Sequence, residues 1–263
     1  MRLHFWIYLS LLAFSLNAQT TTNYPNGKNI LFIVSNAHFY GETKMNTANH
    51  FAEIVFPYDK LVKAGYHVDF VSPEGGAIPI GYIQTSDPLI KEYLYKKEFM
   101  TLLKNTKKPN EIHPADYQAV YYGGGGAAMF GVPENEAIQK IAMIVYEEQQ
   151  GIVAAVCHGS AGLVNLKTKD GKYLVDGKKV NGFPDLFENM DADYYKTFPF
   201  SIEKMLAKRG GDFQYSKEGW DGFALADGRL ITGQDPSAAG LVAEKMMEQL
   251  NRQSNAVSVI NQE

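Results

Sequence analysis

Cysteine is all but absent. The chain of 263 residues has one, Cys157, so no internal disulfide can form and the fold must stand on packing. Strong net charge is missing too, with 25 basic residues against 29 acidic. No basic block and no interleaving of basic and aromatic residues occurs, which argues against nucleic acid as a partner. Histidine is scarce, with six in all, and none follows His158. Chemistry that needs a histidine well downstream of the cysteine, as glutamine amidotransfer does, is thereby excluded. Internal repeats are lacking, as is any linker long enough to divide domains.

What is present is ordinary for a globular protein: 45% hydrophobic and 21% charged residues, in a length that can bury a full core. The one long apolar run is N-terminal. "MRLHFWIYLSLLAFSLNAQ" has a basic start at Arg2, an apolar stretch from Phe5 to Leu16 and a small residue at Ala18. This is the pattern of a secretory signal peptide over residues 1–18. The run is short for a membrane span, so no stable membrane insertion is expected after cleavage. With no cysteine near the cleavage point, a lipoprotein anchor is excluded. The expectation is export, to a periplasm or beyond, with residues 19–28 a flexible start, one domain over 29–250 and a loose tail over 251–263.

Along that domain, strand and helix patterns alternate. "KNILFIVSNA", "YHVDFVSPEGG", "YQAVYYGGGG" and "IVAAV" read as strands, and "KVNGF" and "GRLITGQ" as later ones. "TANHFAEIVFPYDKLVKAG" reads as a helix that Pro57 should kink or interrupt. "ENEAIQKIAMIVYEEQQG" and "SAAGLVAEKMMEQLNRQ" read as amphipathic helices. Several strands are apolar throughout, which argues for an α/β fold with a parallel sheet covered on both faces. Ligands bind such sheets at the carboxyl ends of the strands. The loops after the first, third and fourth strands should open there.

The loop after the fourth strand holds the cysteine. In "IVAAVCHGSAG" a buried strand ends at Val156, and a helix is expected to begin near Gly159 or Ser160. Cys157 in the turn between them gives the strand–turn–helix pattern of a nucleophile elbow, with small residues Ala155 and Gly159 two positions to either side. A helix N-terminus should depress the thiol pKa. Moving it from about 8.5 to about 6 takes roughly 3.4 kcal/mol. A helix end supplies about 1–2 kcal/mol, so another group should donate a hydrogen bond to sulfur. A lone buried cysteine is otherwise a small packing residue. The pattern and the adjacent His158 favour catalysis.

"AAVCHGSAGL" resembles the nucleophile turn of the ThiJ/PfpI superfamily, of class I glutamine-amidotransferase-like fold. With "FAEIVFPYDKLVKAGYHVDFVSPEGG", "ADYQAVYYGGGGAAMFGVPEN" and "DGRLITGQDPSAAG", it resembles the heat-shock chaperone-like branch known as glyoxalase III or D-lactate dehydratase. The resemblance implies a flavodoxin-like sandwich. It implies a protonated Glu53 that donates to the Cys157 sulfur, and oxyanion donors at the backbone N–H of Gly124 or Gly125 and of His158. It implies that no metal or organic cofactor is needed and that a homodimer can form. The chain departs from many relatives at Gly126, where they carry histidine, and at Gly131, where they carry aspartate. Both changes are expected to enlarge the pocket or alter its substrate.

The activity so implied converts methylglyoxal or a related 2-oxoaldehyde to a 2-hydroxy acid. The Cys157 thiolate adds to the aldehyde, loop N–H groups hold the oxyanion, Glu53 or His158 moves the carbon-bound proton, and water releases the product. Glycated or misfolded proteins are further candidate partners. The alternatives are an exported holdase chaperone, a redox sensor and a PfpI-type cysteine peptidase. Other signals are weaker. The "GGGG" run lacks the lysine and hydroxyl residue of a phosphate-binding loop. His50 and Glu53 share a helix face but have no third metal ligand. His38, His67 and His113 are expected at the surface, and Glu74 in a turn. Trp220 and Asp221 are expected to cover the pocket or a dimer contact. Asp235 and Ser237 are expected to cap the last helix.

Overall fold

The computed structural model describes residues 28–260. The expected leader over 1–18 and the stretch up to 27 lie outside the described residues, as do 261–263. Strand β1 (Asn29–Ile33) leads through a long loop to the two-residue β2 (Asn49–His50) and helix α1 (Phe51–Lys63). Then come β3 (His67–Val71), β4 (Ile80–Gly81), α2 (Pro88–Tyr95), α3 (Lys97–Lys104), β5 (Ala119–Tyr122), α4 (Glu136–Glu147) and β6 (Ile152–Val156). The last third holds β7 (Lys179–Val180), α5 (Ile202–Lys208), β8 (Asp212–Phe213), β9 (Ala224–Asp227), β10 (Leu230–Gly233) and α6 (Ala239–Ile260).

The central sheet runs β3-β1-β5-β6-β10-β9. Its first five strands are parallel and β9 is antiparallel to β10. Side chains alternate across it. Phe32, Tyr121, Ala154 and Val156 pack on the face covered by α1 and α6. Leu31, Ile33, Val120, Tyr122 and Val153 pack on the α4 face. Both faces are covered, so the middle strands are apolar throughout rather than alternating. Because the strands are parallel, the loops after β1, β5, β6 and β10 open on one edge, and the site forms there.

Pro57 does not interrupt α1, which runs unbroken through it. The ring removes the N–H that would reach back four residues to the Glu53 carbonyl. The Tyr121 hydroxyl donates to that carbonyl instead, at 2.7 Å. The Glu53 backbone is thus tied to the sheet. Tyr121→Phe should leave a buried carbonyl unpaired and lower stability by about 1–3 kcal/mol, read by denaturant unfolding; an unchanged midpoint would show that the bond does not hold α1.

Three other expectations need correction. The helix after Cys157 is a 3-10 helix that starts at the cysteine itself, Cys157–Leu163. "KVNGF" contributes only two residues, β7, and these pair with β8 outside the central sheet. Residues 251–260, expected to be loose, continue α6 to Ile260, and Gln253 Nε2 donates to the Gln150 carbonyl at 2.8 Å.

Candidate active site

Cys157 stands at the end of β6 with φ +55°, a left-handed conformation that costs a non-glycine residue roughly 1–2 kcal/mol. The sharp turn brings its neighbours onto the β5 loop. A Cβ on Gly159 would collide with the Tyr122 carbonyl oxygen, which is why this position must be small. The thiol is 3% exposed.

Two groups flank the sulfur. On one side His158 Nδ1 lies 3.3 Å from Sγ, and its Nε2 lies 2.7 Å from Glu188 Oε1. The imidazole is held between Phe183, stacked at 4.9 Å, and the edge of Phe198. Cysteine, histidine and glutamate therefore form a connected chain. Sequence reasoning found the first two and missed Glu188. It sits in the irregular "FPDLFENMD" stretch, 30 residues beyond His158, and no local pattern marks it. The scarcity of histidine was the usable signal, because a single flanking imidazole needs an orienting acid.

On the other side lies the carboxyl of Glu53, wholly buried in the first turn of α1. Its Oε2 accepts the Gly124 N–H at 2.8 Å. Burial, the largest influence, raises its pKa to about 8, so the carboxyl keeps its proton at neutral pH. With Oε2 accepting, the proton sits on Oε1. The protonated state agrees with the expectation for Glu53, and the expectation for Gly124 is corrected, because its N–H is engaged by Glu53 and does not face a ligand. Of the two expected loop donors, only Gly125 lines the cavity.

The thiol itself departs from expectation. Burial, joined by the neighbouring Glu53, pushes the Cys157 pKa up, and the His158 backbone N–H opposes this only in part. The 3-10 turn offers less aligned dipole than an α-helix end, and burial of the sulfur outweighs it. Cys157 is a thiol at rest, ionised as His158 takes its proton.

These groups open on a cavity of about 190 Å³, with Cys157, His158, Gly125 and Gly126 among its lining. Its walls are the rings of His50, Tyr82, Phe183 and Trp220 with Pro236. Strain concentrates here. Among the described residues four non-glycines have positive φ, and three of them, Tyr82, Cys157 and Trp220, line this cavity. Trp220 is held by its N–H bond to Asp235 Oδ2 at 2.8 Å and packs on Phe183 and Phe187. Trp220 thus covers the pocket; Asp221 is exposed and does not line it. Asp235 also accepts from Ser237, at the start of the 3-10 turn that leads into α6.

Gly126 does not enlarge the pocket. A side chain there would run into the Tyr40 hydroxyl and Thr47 Oγ1, so those residues fill the space. Gly131 has φ +79° and donates its N–H to Glu134 Oε1 at 2.8 Å; it serves a turn. His38, His113 and Glu74 are exposed, and His67 is half-buried beside Asp69. His50, set aside as half of a weak metal pair, lines the cavity.

Comparison with known proteins identifies the relatives of this chain. Residues 46–249 match the model of the DJ-1/PfpI family. The chain belongs to the DJ-1/PfpI family. Among its DJ-1/PfpI relatives, Glyoxalase 3 of Candida albicans is 33% identical over 81% of this chain and 93% of that protein. The glutathione-independent glyoxalase HSP31 of Saccharomyces cerevisiae is 31% identical over 75% of this chain and 87% of that one. The crystal structure of glyoxalase III from Candida albicans superposes with a TM-score of 0.76 at 29% identity, covering 85% of this chain and 97% of the other. The Rapid Encystment Protein of Francisella tularensis superposes with a TM-score of 0.79 at 26% identity, over 85% and 99%.

Proposed function

We propose that this protein is a glutathione-independent glyoxalase that converts methylglyoxal, or a similarly small 2-oxoaldehyde, to a 2-hydroxy acid. The observation that carries the reading is one cavity in which the Cys157 sulfur sits between the His158–Glu188 pair and a protonated Glu53. The names of the relatives support the same chemistry.

His158 takes the thiol proton, the sulfur adds to the aldehyde carbon, C1, and His158 passes that proton to the former aldehyde oxygen, leaving a hemithioacetal and a neutral imidazole. His158 then removes the C1 proton, with Glu188 stabilising the imidazolium. Glu53 is an acid at neutral pH, so it does not serve as the base for this step. Reprotonation at C2 gives a thioester of the 2-hydroxy acid, which water releases. The sulfur plays the part that glutathione plays elsewhere, so turnover should proceed without glutathione and be unchanged on adding it. Methylglyoxal loss that requires glutathione would overturn the reading. Glu188→Ala is expected to lower kcat about 10²-fold with KM little changed, in a steady-state lactate assay.

Two of the alternatives fit less well. A redox sensor needs an accessible, ionised thiol, whereas Cys157 is buried with a raised pKa. A peptidase must admit an extended chain, and a cavity of about 190 Å³ beside Trp220 suits a small aldehyde. The same limit favours free small adducts over glycated side chains of folded proteins. The N-terminal pattern supports export, which fractionation would test: a leader-bearing chain retained in the cytoplasm would contradict it.

A further inference from the structure

His50 is a titratable cavity residue that the mechanism leaves unused. Its backbone N–H donates to the Gly124 carbonyl at 2.9 Å, which fixes the start of α1 against the glycine loop. Its imidazole stacks on Tyr82 with ring centroids 4.9 Å apart and planes within 4°. Tyr82 adopts φ +56° at this point, and its hydroxyl lies 3.2 Å from that of Tyr40. A strained residue is thus held where its ring fixes that of His50.

The inner edge of the imidazole meets Glu53. His50 Nδ1 and Glu53 Oε1 are both buried, both lack a hydrogen-bond partner, and lie 3.9 Å apart. Buried polar atoms without partners are uncommon. Here two face each other. Burial, with the nearby His158 adding to it, lowers the His50 pKa to about 4, so the ring is neutral. With Nδ1 turned towards the Glu53 acid proton, the ring N–H is on Nε2.

We propose that His50 is a further catalytic residue, relaying a proton between Glu53 and the ketone oxygen of the bound 2-oxoaldehyde. This rests on the glyoxalase reading. As His158 takes the C1 proton, the C1–H pair becomes the C1=C2 bond and the C2 carbonyl pair moves onto its oxygen. That oxygen takes the Nε2 proton of His50, and Nδ1 takes the proton of Glu53. The result is an enediol, a protonated His158 and a Glu53 carboxylate, with His50 neutral in its other tautomer. In the second half His158 returns its proton to C2. The C1 hydroxyl proton passes to Nε2 and the Nδ1 proton returns to Glu53, while C1 becomes the thioester carbonyl. Every group ends as it began.

The test uses methylglyoxal labelled with carbon-13 at C1, without glutathione, on the wild type and on His50→Phe and His50→Gln. Phenylalanine keeps the stack on Tyr82, and glutamine keeps a side-chain N–H. Circular dichroism establishes that each variant is folded. The expected result is lactate from the wild type. His50→Phe should accumulate bound hemithioacetal and lose about 10²-fold in kcat with KM within a few-fold, and His50→Gln should regain at least about tenfold. A phenylalanine variant that turns over at the wild-type rate would overturn the proposal. So would one that is folded yet forms no adduct, or a glutamine variant no better than it. No lactate from the wild type would instead remove the glyoxalase reading, and the relay with it.

Discussion

Cys157→Ala is expected to abolish lactate formation, a loss on the order of 10⁴-fold or more, in a protein whose circular dichroism and thermal midpoint stay close to wild type. Catalysis and fold separate here because of where the sulfur sits. The elbow is set by backbone contacts, chiefly the approach of Gly159 to the Tyr122 carbonyl, and these do not involve Sγ. Alanine keeps the Cβ and removes only an atom that faces the cavity. His158, Glu188 and Glu53 remain in place but have nothing to hold the substrate covalently. Serine at the same position should be nearly as poor, since an alcohol is far harder than a thiol for one imidazole to ionise. Lactate formation by Cys157→Ala above about one-tenth of the wild-type rate would mean that the chemistry does not pass through the sulfur.

Glu53→Gln is expected to cost about 10³-fold in kcat and to change the pH dependence of stability. Glutamine can still accept the Gly124 N–H but has no acid proton to give. The stability effect follows from linkage. The folded-state pKa of Glu53, about 8, lies above its ordinary 4.5. Between those values the folded state holds a proton that the unfolded chain has lost. Stability therefore falls as pH rises, with a slope of up to about 1.4 kcal/mol per unit. The contribution is complete below about 4.5 and gone above about 8. His50 acts in the opposite sense, because its pKa is lowered from 6.5 to about 4. Its contribution is present above 6.5 and lost as pH falls towards 4. The two oppose each other in the acid range, so the decline due to Glu53 should be visible between about pH 6.5 and 8. Denaturant midpoints across that window should drop in the wild type and stay nearly level in Glu53→Gln. Equal slopes would mean that Glu53 is ionised in the folded protein.

Much of this site is legible along the chain because parallel sheets gather their loops at one edge. "YYGGGG" and "AAVCHG" each announce a strand that stops at a small-residue turn, and their convergence follows from topology. Glu53 is legible for a different reason, as an acidic residue lodged among Phe51, Ile54 and Val55 on an apolar helix face. Glu188 and Trp220 were harder. Glu188 follows a single 3-10 turn, Asp185–Phe187, and Trp220 sits in a bend anchored by Asp235. Neither has a period to read. The state of the thiol is not legible because sequence shows the turn and not the burial, and burial decides the sign. Pro57 does not interrupt its helix because the Glu53 carbonyl that its missing N–H would leave free is bonded by Tyr121, 68 residues beyond Glu53. His50 was read as a neighbour of Glu53 on a helix face; only the stack on Tyr82 and the two partnerless atoms give it a place in the cavity.

The most direct measurement follows carbon-13 from the aldehyde carbon of methylglyoxal through the wild-type protein in the absence of glutathione. The label should pass through a sulfur-bound carbon and emerge in the carboxylate of lactate, with many turnovers per chain. A label that stays in hydrated aldehyde, or that stops at one bound equivalent per chain, would contradict the account.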